Sequence, residues 1–439
     1  MRNRPLILFL ALALALSAGI ARAEGGDDLS LEKAVRLALE RNERARAAEA
    51  RLQASQARVS GARAFFLPDL TLVGAYTRRA YQTSREVGGE TVILQRYNAL
   101  SPTAMMSLNI FDARAFPLYR MAKQDREATR LSSADDRRLL AFDAAEAFLT
   151  ALSAEQVSEA ARRRLDFARK SLKDAQARFE AQIVSSNDVT RAELELATAE
   201  RELTGAHGDA ETARLSLGHL LDTDVEGPLA PPAALLQAAA EPPGRGDDLI
   251  ALAQRQRPDV AAGRQRAEAL HASAQEPLFR AFPSLTLTGQ YRGTNETGLN
   301  GRRHDGNAAL SLAWRLYDGG EASASRAERL ALARAADLDA QAVERRVALE
   351  VRSALVALAS RQAAIRQASV AVEVARKNAD QAAELYRQGL ANALQVADAN
   401  IRLFESEVAL ARARYGLALA HLDLRAARGL DPLGEEPAP

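Results

Sequence analysis

The chain has no cysteine, one tryptophan and five histidines in 439 residues, and no surplus of either charge, with 58 basic residues against 57 acidic. Each shortage closes a class of function. Without cysteine there is no disulfide framework, no thiol nucleophile and no attachment point for an N-terminal lipid. Balanced charge offers no basic face for phosphate backbones, so no nucleic-acid partner is expected. His207, His219, His271, His304 and His421 show no metal-ligand spacing, and neither a glycine-rich phosphate loop nor a nucleophile elbow occurs. No metal, cofactor or catalysis is therefore expected. Aromatics make up 5% while hydrophobic residues reach 47%, so alanine and leucine dominate, as in long helices packed closely side by side.

Long apolar runs are missing except at the start. Arg2 and Arg4 precede the apolar run Leu6 to Leu16, followed by Ala21-Arg22-Ala23, the small-x-small pattern that a signal peptidase cuts. The run is shorter than the roughly 20 residues that span a bilayer. Residues 1–23 thus read as an export signal, with the mature chain starting at Glu24. Export without lipid or disulfide fits a bacterial envelope protein.

The remaining sequence is duplicated. Phe65-Phe66-Leu67-Pro68-Asp69-Leu70-Thr71-Leu72 returns 215 positions later as Arg280-Ala281-Phe282-Pro283-Ser284-Leu285-Thr286-Leu287, and Phe179-Glu180-Ala181-Gln182 returns 207 positions later as Tyr386-Arg387-Gln388-Gly389. The expected organisation is a first repeat over 24–226, a proline-rich linker over 227–246, a second repeat over 247–428 and a polar tail over 429–439. Linker and tail are both expected to lie outside the main helical body.

Within each repeat the hydrophobic period changes. Helical spacing ends at Pro68 and Pro283, beyond which apolar residues alternate, predicting strands over about 69–77, 103–111, 284–292 and 307–317. Helix hairpins follow over about 116–221 and 320–428, each beginning with a helix on the order of 100 Å long. Leu140, Ala144, Ala147, Ala151, Ala154, Ser158, Ala161 and Leu165 keep a four-three spacing that continues to Phe179. Its counterpart runs from Val347 to Tyr386 with Arg361 as the one misfit, so each repeat carries a coiled-coil seam of about six heptads.

The strands set the architecture. Ten residues of alternation suit a tilted transmembrane strand, but an open sheet in lipid leaves edge N–H and C=O groups unsatisfied at several kcal/mol each. Four strands per chain are too few for a membrane barrel, so several chains must close one together. The fold class expected is mainly α with a β-barrel portion, built from a duplicated helix-strand-strand-helix repeat. The competing reading is a soluble periplasmic coiled-coil spacer or adaptor.

On Phe66-Leu67-Pro68-Asp69-Leu70, Leu316-Tyr317-Asp318-Gly319-Gly320 and Tyr386-Arg387-Gln388-Gly389-Leu390, the chain resembles the TolC family of bacterial outer-membrane efflux proteins over nearly all of its mature length. The resemblance implies a homotrimer whose shared barrel spans the outer membrane, amid its lipid, and continues as a periplasmic helical tunnel. It implies the exit duct of a tripartite efflux or type I secretion system, engaged by a periplasmic adaptor (membrane fusion) protein and an inner-membrane RND or ABC transporter. At the hairpin tips it implies an entrance gate, with Tyr386, Asp188 and Asp398 matching family positions, Gln395 replacing an acidic residue and Ala391 standing where a gate arginine is expected. Phe111-Asp112-Ala113-Arg114 also departs from the family's Asp-Gly-Gly turn. Bland readings stay open beside the gate: Asp188 has capping-box spacing from Ser185, and Asp398 suits a solvated helix face.

Overall fold

The computed structural model describes residues 28–296 and 301–434; the expected leader, part of the second strand connection and the end of the tail lie outside the described residues. Helices α1 (Leu31–Arg41) and α2 (Glu43–Ala64) lead into strands β1 (Asp69–Arg78), β2 (Thr83–Val87), β3 (Glu90–Gln95) and β4 (Asn98–Phe111). The first helix hairpin is α3 (Ala115–Glu180) with α4 (Ser186–Leu221), and α5 (Ala233–Ala240) lies in the connector. The second repeat runs through α6 (Gly246–Gln256), α7 (Pro258–Ser273), α8 (Glu276–Phe279), β5 (Ser284–Gly293), β6 (His304–Ala313), α9 (Glu321–Arg387) and α10 (Ala393–Arg428).

The duplication is visible position by position. Helix α6 is α1 displaced by 215 residues, and α10 is α4 displaced by 207, with identical lengths in both cases. Buried Asn42 between α1 and α2 donates to the carbonyl of Leu220 at 3.0 Å, while buried Arg257, its counterpart, donates to the carbonyl of Ala427 at 3.3 Å. Each repeat thus ties its short helices to the end of its return helix through a carbonyl that has no partner within the helix. Arg257 carries a charge into that site, and Asp259 (2.7 Å) and Glu350 neutralise it.

The seam residues pack as their spacing requires. Leu140, Ala144, Ala151, Ala161, Leu165 and Ala168 are buried on α3, and Val347, Val351, Ala354 and Leu358 are buried on α9. Small residues there let the helices approach closely. Arg361 stays exposed, and Gly416 on α10 leaves room beside its guanidinium.

The four long strands form one antiparallel sheet in the order β1-β4-β5-β6. Leu70 pairs with Met106, Leu72 with Ala104, Tyr76 with Leu100, Leu285 with Leu312 and Leu287 with Leu310. Directly paired residues project from the same side, so one face is apolar. The other carries Thr71, Thr103, Ser107, Thr286, Thr288, Gln290 and Ser311. Tyr76 and Tyr291 sit at the far end of the apolar face. Trp314 sits beyond its near end, donating its indole N–H to the carbonyl of Ala281 at 2.9 Å. Aromatics at both ends of an apolar band mark the two interfaces of a membrane. No helix among the described residues is long and apolar enough to cross one.

Several expectations are revised. The connector does not stand apart: Leu29 and Leu229 bridge, and Leu235 and Ala239 of α5 are buried against the helical body. Leu433 of the tail packs on the same core. The polar stretch after β1 contains a second hairpin, β2 with β3, turning at Gly88 and Gly89, both at positive φ. Strand β4 starts earlier than expected because that hairpin returns the chain to β1 at Asn98, and β6 spans 304–313 rather than 307–317. The two strand-to-helix passages reach one result by different means. Asp318 accepts from the N–H groups of Gly320 (2.9 Å) and Ala322 (2.8 Å), whereas Asp112 accepts from the N–H of Arg114 (3.0 Å) and from its guanidinium.

His421 on α10 has its Nδ1 buried without a partner, and burial, reinforced by Arg425 and Arg428, lowers its pKa from 6.5 to about 4. The unfolded chain therefore takes up a proton near pH 6.5 that the folded chain refuses until about pH 4. This contribution to stability is whole above 6.5 and is lost as pH falls towards 4. His421→Gln should flatten the dependence of the unfolding midpoint on pH across that interval. An unchanged slope in thermal scans would assign the pH response to other groups.

Candidate functional site: the helix-hairpin tips

At the end remote from the sheet, each long helix turns into its return helix through one motif. Gln182 (φ 58°) and Gly389 (φ 76°) are equivalent left-handed residues. The amide of Ile183 donates to Arg178 and that of Leu390 to Leu385, both at 2.8 Å. These bonds satisfy end carbonyls of α3 and α9. Gln182 adopts without glycine a conformation that costs an L-residue roughly 1–2 kcal/mol.

Three residues further on, the return helices start with equivalent caps. Asp188 accepts from the Ser185 N–H (3.2 Å) and hydroxyl (3.1 Å). Gln395 accepts from the Asn392 N–H and donates its own N–H to the Asn392 side chain, both at 3.0 Å. Asp188 and Gln395 are one position in two repeats, and the capping box uses both. That shared task explains why glutamine can stand where an acid was expected.

Tyr386 lies half-buried in the last turn of α9, one residue before its end. The Arg178 guanidinium, from the last turn of α3, sits 4.2 Å from its ring centroid and donates to the Tyr386 carbonyl at 3.0 Å. Burial raises the pKa of the Tyr386 hydroxyl; Arg178 opposes the rise while Asp188 and Asp174 add to it. No hydrogen bond joins that hydroxyl to Asp188 among the described residues. An arginine thus does reach this tyrosine, from the other hairpin rather than from position 391. Sequence reading missed it, although Arg178 immediately precedes the seam residue Phe179, whose counterpart is Tyr386.

Asp398 is exposed on α10, with Arg402 at 3.9 Å one turn on, the outer limit of an ion pair. Its counterpart on α4 is Arg191, also exposed. Each immediately precedes a buried alanine, Ala399 or Ala192. The two hairpins therefore present opposite charges at one level. Among the described residues no three His, Asp or Glu side chains gather as metal ligands.

The family model described as "Outer membrane efflux protein" matches residues 34–222 and 249–430. Nodulation protein T of Rhizobium leguminosarum bv. trifolii is 23% identical over 397 residues, covering 88% of this chain and 82% of that protein. Protein CyaE of Bordetella pertussis is 34% identical over 217 residues, 47% of this chain and 45% of its own length. Among solved structures, the Vibrio cholerae outer membrane protein VceC superposes with a TM-score of 0.74 at 19% identity, covering 91% of this chain and 96% of that one. The Neisseria gonorrhoeae MtrE outer membrane channel, in its open state, gives 0.76 at 20% identity, covering 93% and 91%. At these identities the structural matches establish the fold.

A guanidinium over an aromatic ring contributes about 0.5–2 kcal/mol, depending on desolvation. Arg178→Ala should therefore speed amide hydrogen exchange in the last turn of α9 by about two- to thirtyfold while leaving the unfolding midpoint nearly unchanged. Exchange identical to the parent would show that the contact does not hold the tips together.

Proposed function

Because the chain belongs to the outer membrane efflux protein family, whose members are outer-membrane channels reaching into the periplasm, we propose that three copies form one passive exit duct, opened from below by a periplasmic adaptor and an inner-membrane pump of the RND or ABC class. The observation that carries the assembly is an internal asymmetry between the repeats. Leu422 on α10 is 3% exposed because it packs in the core shared with α3, while its counterpart on α4, Leu215, is 67% exposed. On the long helices, Leu149 of α3 is fully buried in that core, whereas its counterpart Val356 of α9 is 71% exposed. The contact made inside the chain between α3 and α10 thus has an unmade equivalent between α9 and α4. The α4 of a neighbouring chain can supply it.

The sheet makes the same demand. Its edges, β1 and β6, run antiparallel, so β6 of one chain can pair with β1 of the next without breaking the alternation. A ring of chains leaves no edge in lipid. A soluble spacer would instead leave Leu70, Leu72, Leu310 and Leu312 in water together with both edges. Three is the number implied by the resemblance to the TolC family.

The duct requires no chemistry, and control falls to the tips. In this reading Asp188 and Gln395 hold the turns, Tyr386 is latched by Arg178, and Asp398 presents a carboxylate to the opening. Three copies of Asp398 draw cations into a narrow entrance, tempered by Arg191 at the same level.

Val356→Glu should place a charge in the inter-chain seam and give a monomer by light scattering in mild detergent, where the parent gives three chains. A parent particle of another size would overturn the trimer. In planar bilayers, Asp398→Asn should lower the preference for cations over anions severalfold, and Arg191→Gln should raise it. Unchanged reversal potentials in both variants would remove these residues from the entrance.

A further inference from the structure

We propose that each chain binds one phosphorylated glycolipid headgroup of the outer leaflet in a cavity at the outward end of its apolar sheet face. The cavity, of about 910 Å³, is floored by Gly74, Tyr76, Leu100, Pro102 and Gly293 and rimmed by Arg96, Arg303 and His304. Gly74 pairs with Pro102, Tyr76 with Leu100 and Gly293 with His304, which places the floor on the face that carries Leu70, Leu72, Leu310 and Leu312. The opening is therefore towards lipid. Tyr76 and Tyr291 set its depth at the interface, where headgroups lie.

The glycine at position 74 has no other explanation in the fold. A Cβ there would meet nothing within 4 Å, and its φ lies outside the left-handed region. Glycine inside a strand costs roughly 0.5–1 kcal/mol against alanine, so neither packing nor backbone conformation favours it. What it provides is the hollow.

The rim is held open and basic. Asn295 accepts from the Leu100 N–H and donates to the Asn98 carbonyl, both at 2.9 Å, and Glu296 accepts from the Arg96 N–H at 2.7 Å while pairing with Arg79. Glu296 thereby consumes one guanidinium, but those of Arg96 and Arg303 form no ion pair among the described residues. His304 lies parallel to the Tyr291 ring at 6.0 Å between centroids, which fixes its orientation. Two guanidiniums above an apolar floor suit a phosphate carried on an acylated sugar, since guanidinium forks bind phosphate bidentately. The acyl chains continue down the leucine-rich face. Inorganic phosphate would use the rim alone and leave the floor without a role.

The test is native mass spectrometry of the full-length assembly in detergent, titrated with bisphosphorylated hexa-acyl lipid A, the same lipid after enzymatic removal of both phosphates, and inorganic phosphate. The expected result is saturation at one bisphosphorylated lipid per chain, with roughly tenfold or greater weakening in Arg96→Gln/Arg303→Gln, since each charged hydrogen bond contributes about 1.5–3 kcal/mol. Gly74→Val, whose Cβ would meet no atom within 4 Å, fills the hollow and should also weaken binding. Arg85→Gln/Arg302→Gln removes equal charge from the same loops outside the cavity and should leave binding unchanged. The proposal is overturned by equal retention of the dephosphorylated lipid, by equal losses in both double variants, or by retention of inorganic phosphate without lipid. The inference rests on the apolar face meeting lipid. The assembly mass and conductance of each variant report on that premise separately, so a channel that conducts normally without retaining lipid would sink only the site.

Discussion

Two sheet edges govern the rest of this molecule. Four antiparallel strands carry an apolar face and a polar face, and the outermost, β1 and β6, each present a row of N–H and C=O groups with no strand partner among the described residues. In hydrocarbon every such group costs several kcal/mol, so the sheet cannot persist there alone. The proposed closure by further copies removes both edges, and the even strand count lets successive chains join without a parallel pair. The helices inherit that constraint: the long helices follow directly from β4 and β6, so closing the sheet into a ring arranges the helical hairpins around the same axis.

Duplication makes the closure economical. A contact selected between the two halves of one chain can be reused between chains, and the paired exposures of Leu422 with Leu215 and of Leu149 with Val356 mark where this would happen in the proposed assembly. Equivalent positions have nonetheless diverged without losing their tasks. Asn42 and Arg257 both hold the last carbonyls of a return helix, one as a neutral donor and the other as a cation that needed Asp259 and Glu350. Asp112 with Arg114 replaces the Asp318-Gly319-Gly320 turn, a guanidinium bond doing for the carboxylate what a second backbone N–H does in the other repeat.

What could be read from the sequence was whatever has a period. Alternation at Leu70, Leu72 and Tyr76 marked strands, and the four-three spacing from Leu140 to Phe179 marked a seam, because burial on a regular element imposes its repeat on the residues. The β2–β3 hairpin carried a legible signal as well, Gly88-Gly89 beside Val92-Ile93-Leu94, but its short strands fell within a stretch read as polar. The packing of α5 onto the body was not legible, since a proline-rich connector looks alike whether or not Leu235 finds a core. The tips were legible only in part. Capping spacing exposed the work of Asp188, whereas the Arg178–Tyr386 contact crosses 208 positions and has no period to betray it.

In the proposed duct, the energetics of the tips suit an entrance opened by a partner. Within each chain the latch is one cation–π contact of about 0.5–2 kcal/mol, together with a single carbonyl hydrogen bond. Arg191 and Asp398 are exposed and form no ion pair with each other among the described residues, so their charges add little to that latch. Summed over the three chains of the proposed duct, these contacts amount to on the order of 5 kcal/mol, near the roughly 5.5 kcal/mol that inverts a two-state population. A buried apolar lock would have required an adaptor to expose a core. Capped turns and a surface latch would instead let the hairpins of the proposed duct separate as rigid bodies, keeping the fold of each hairpin intact while the opening changes.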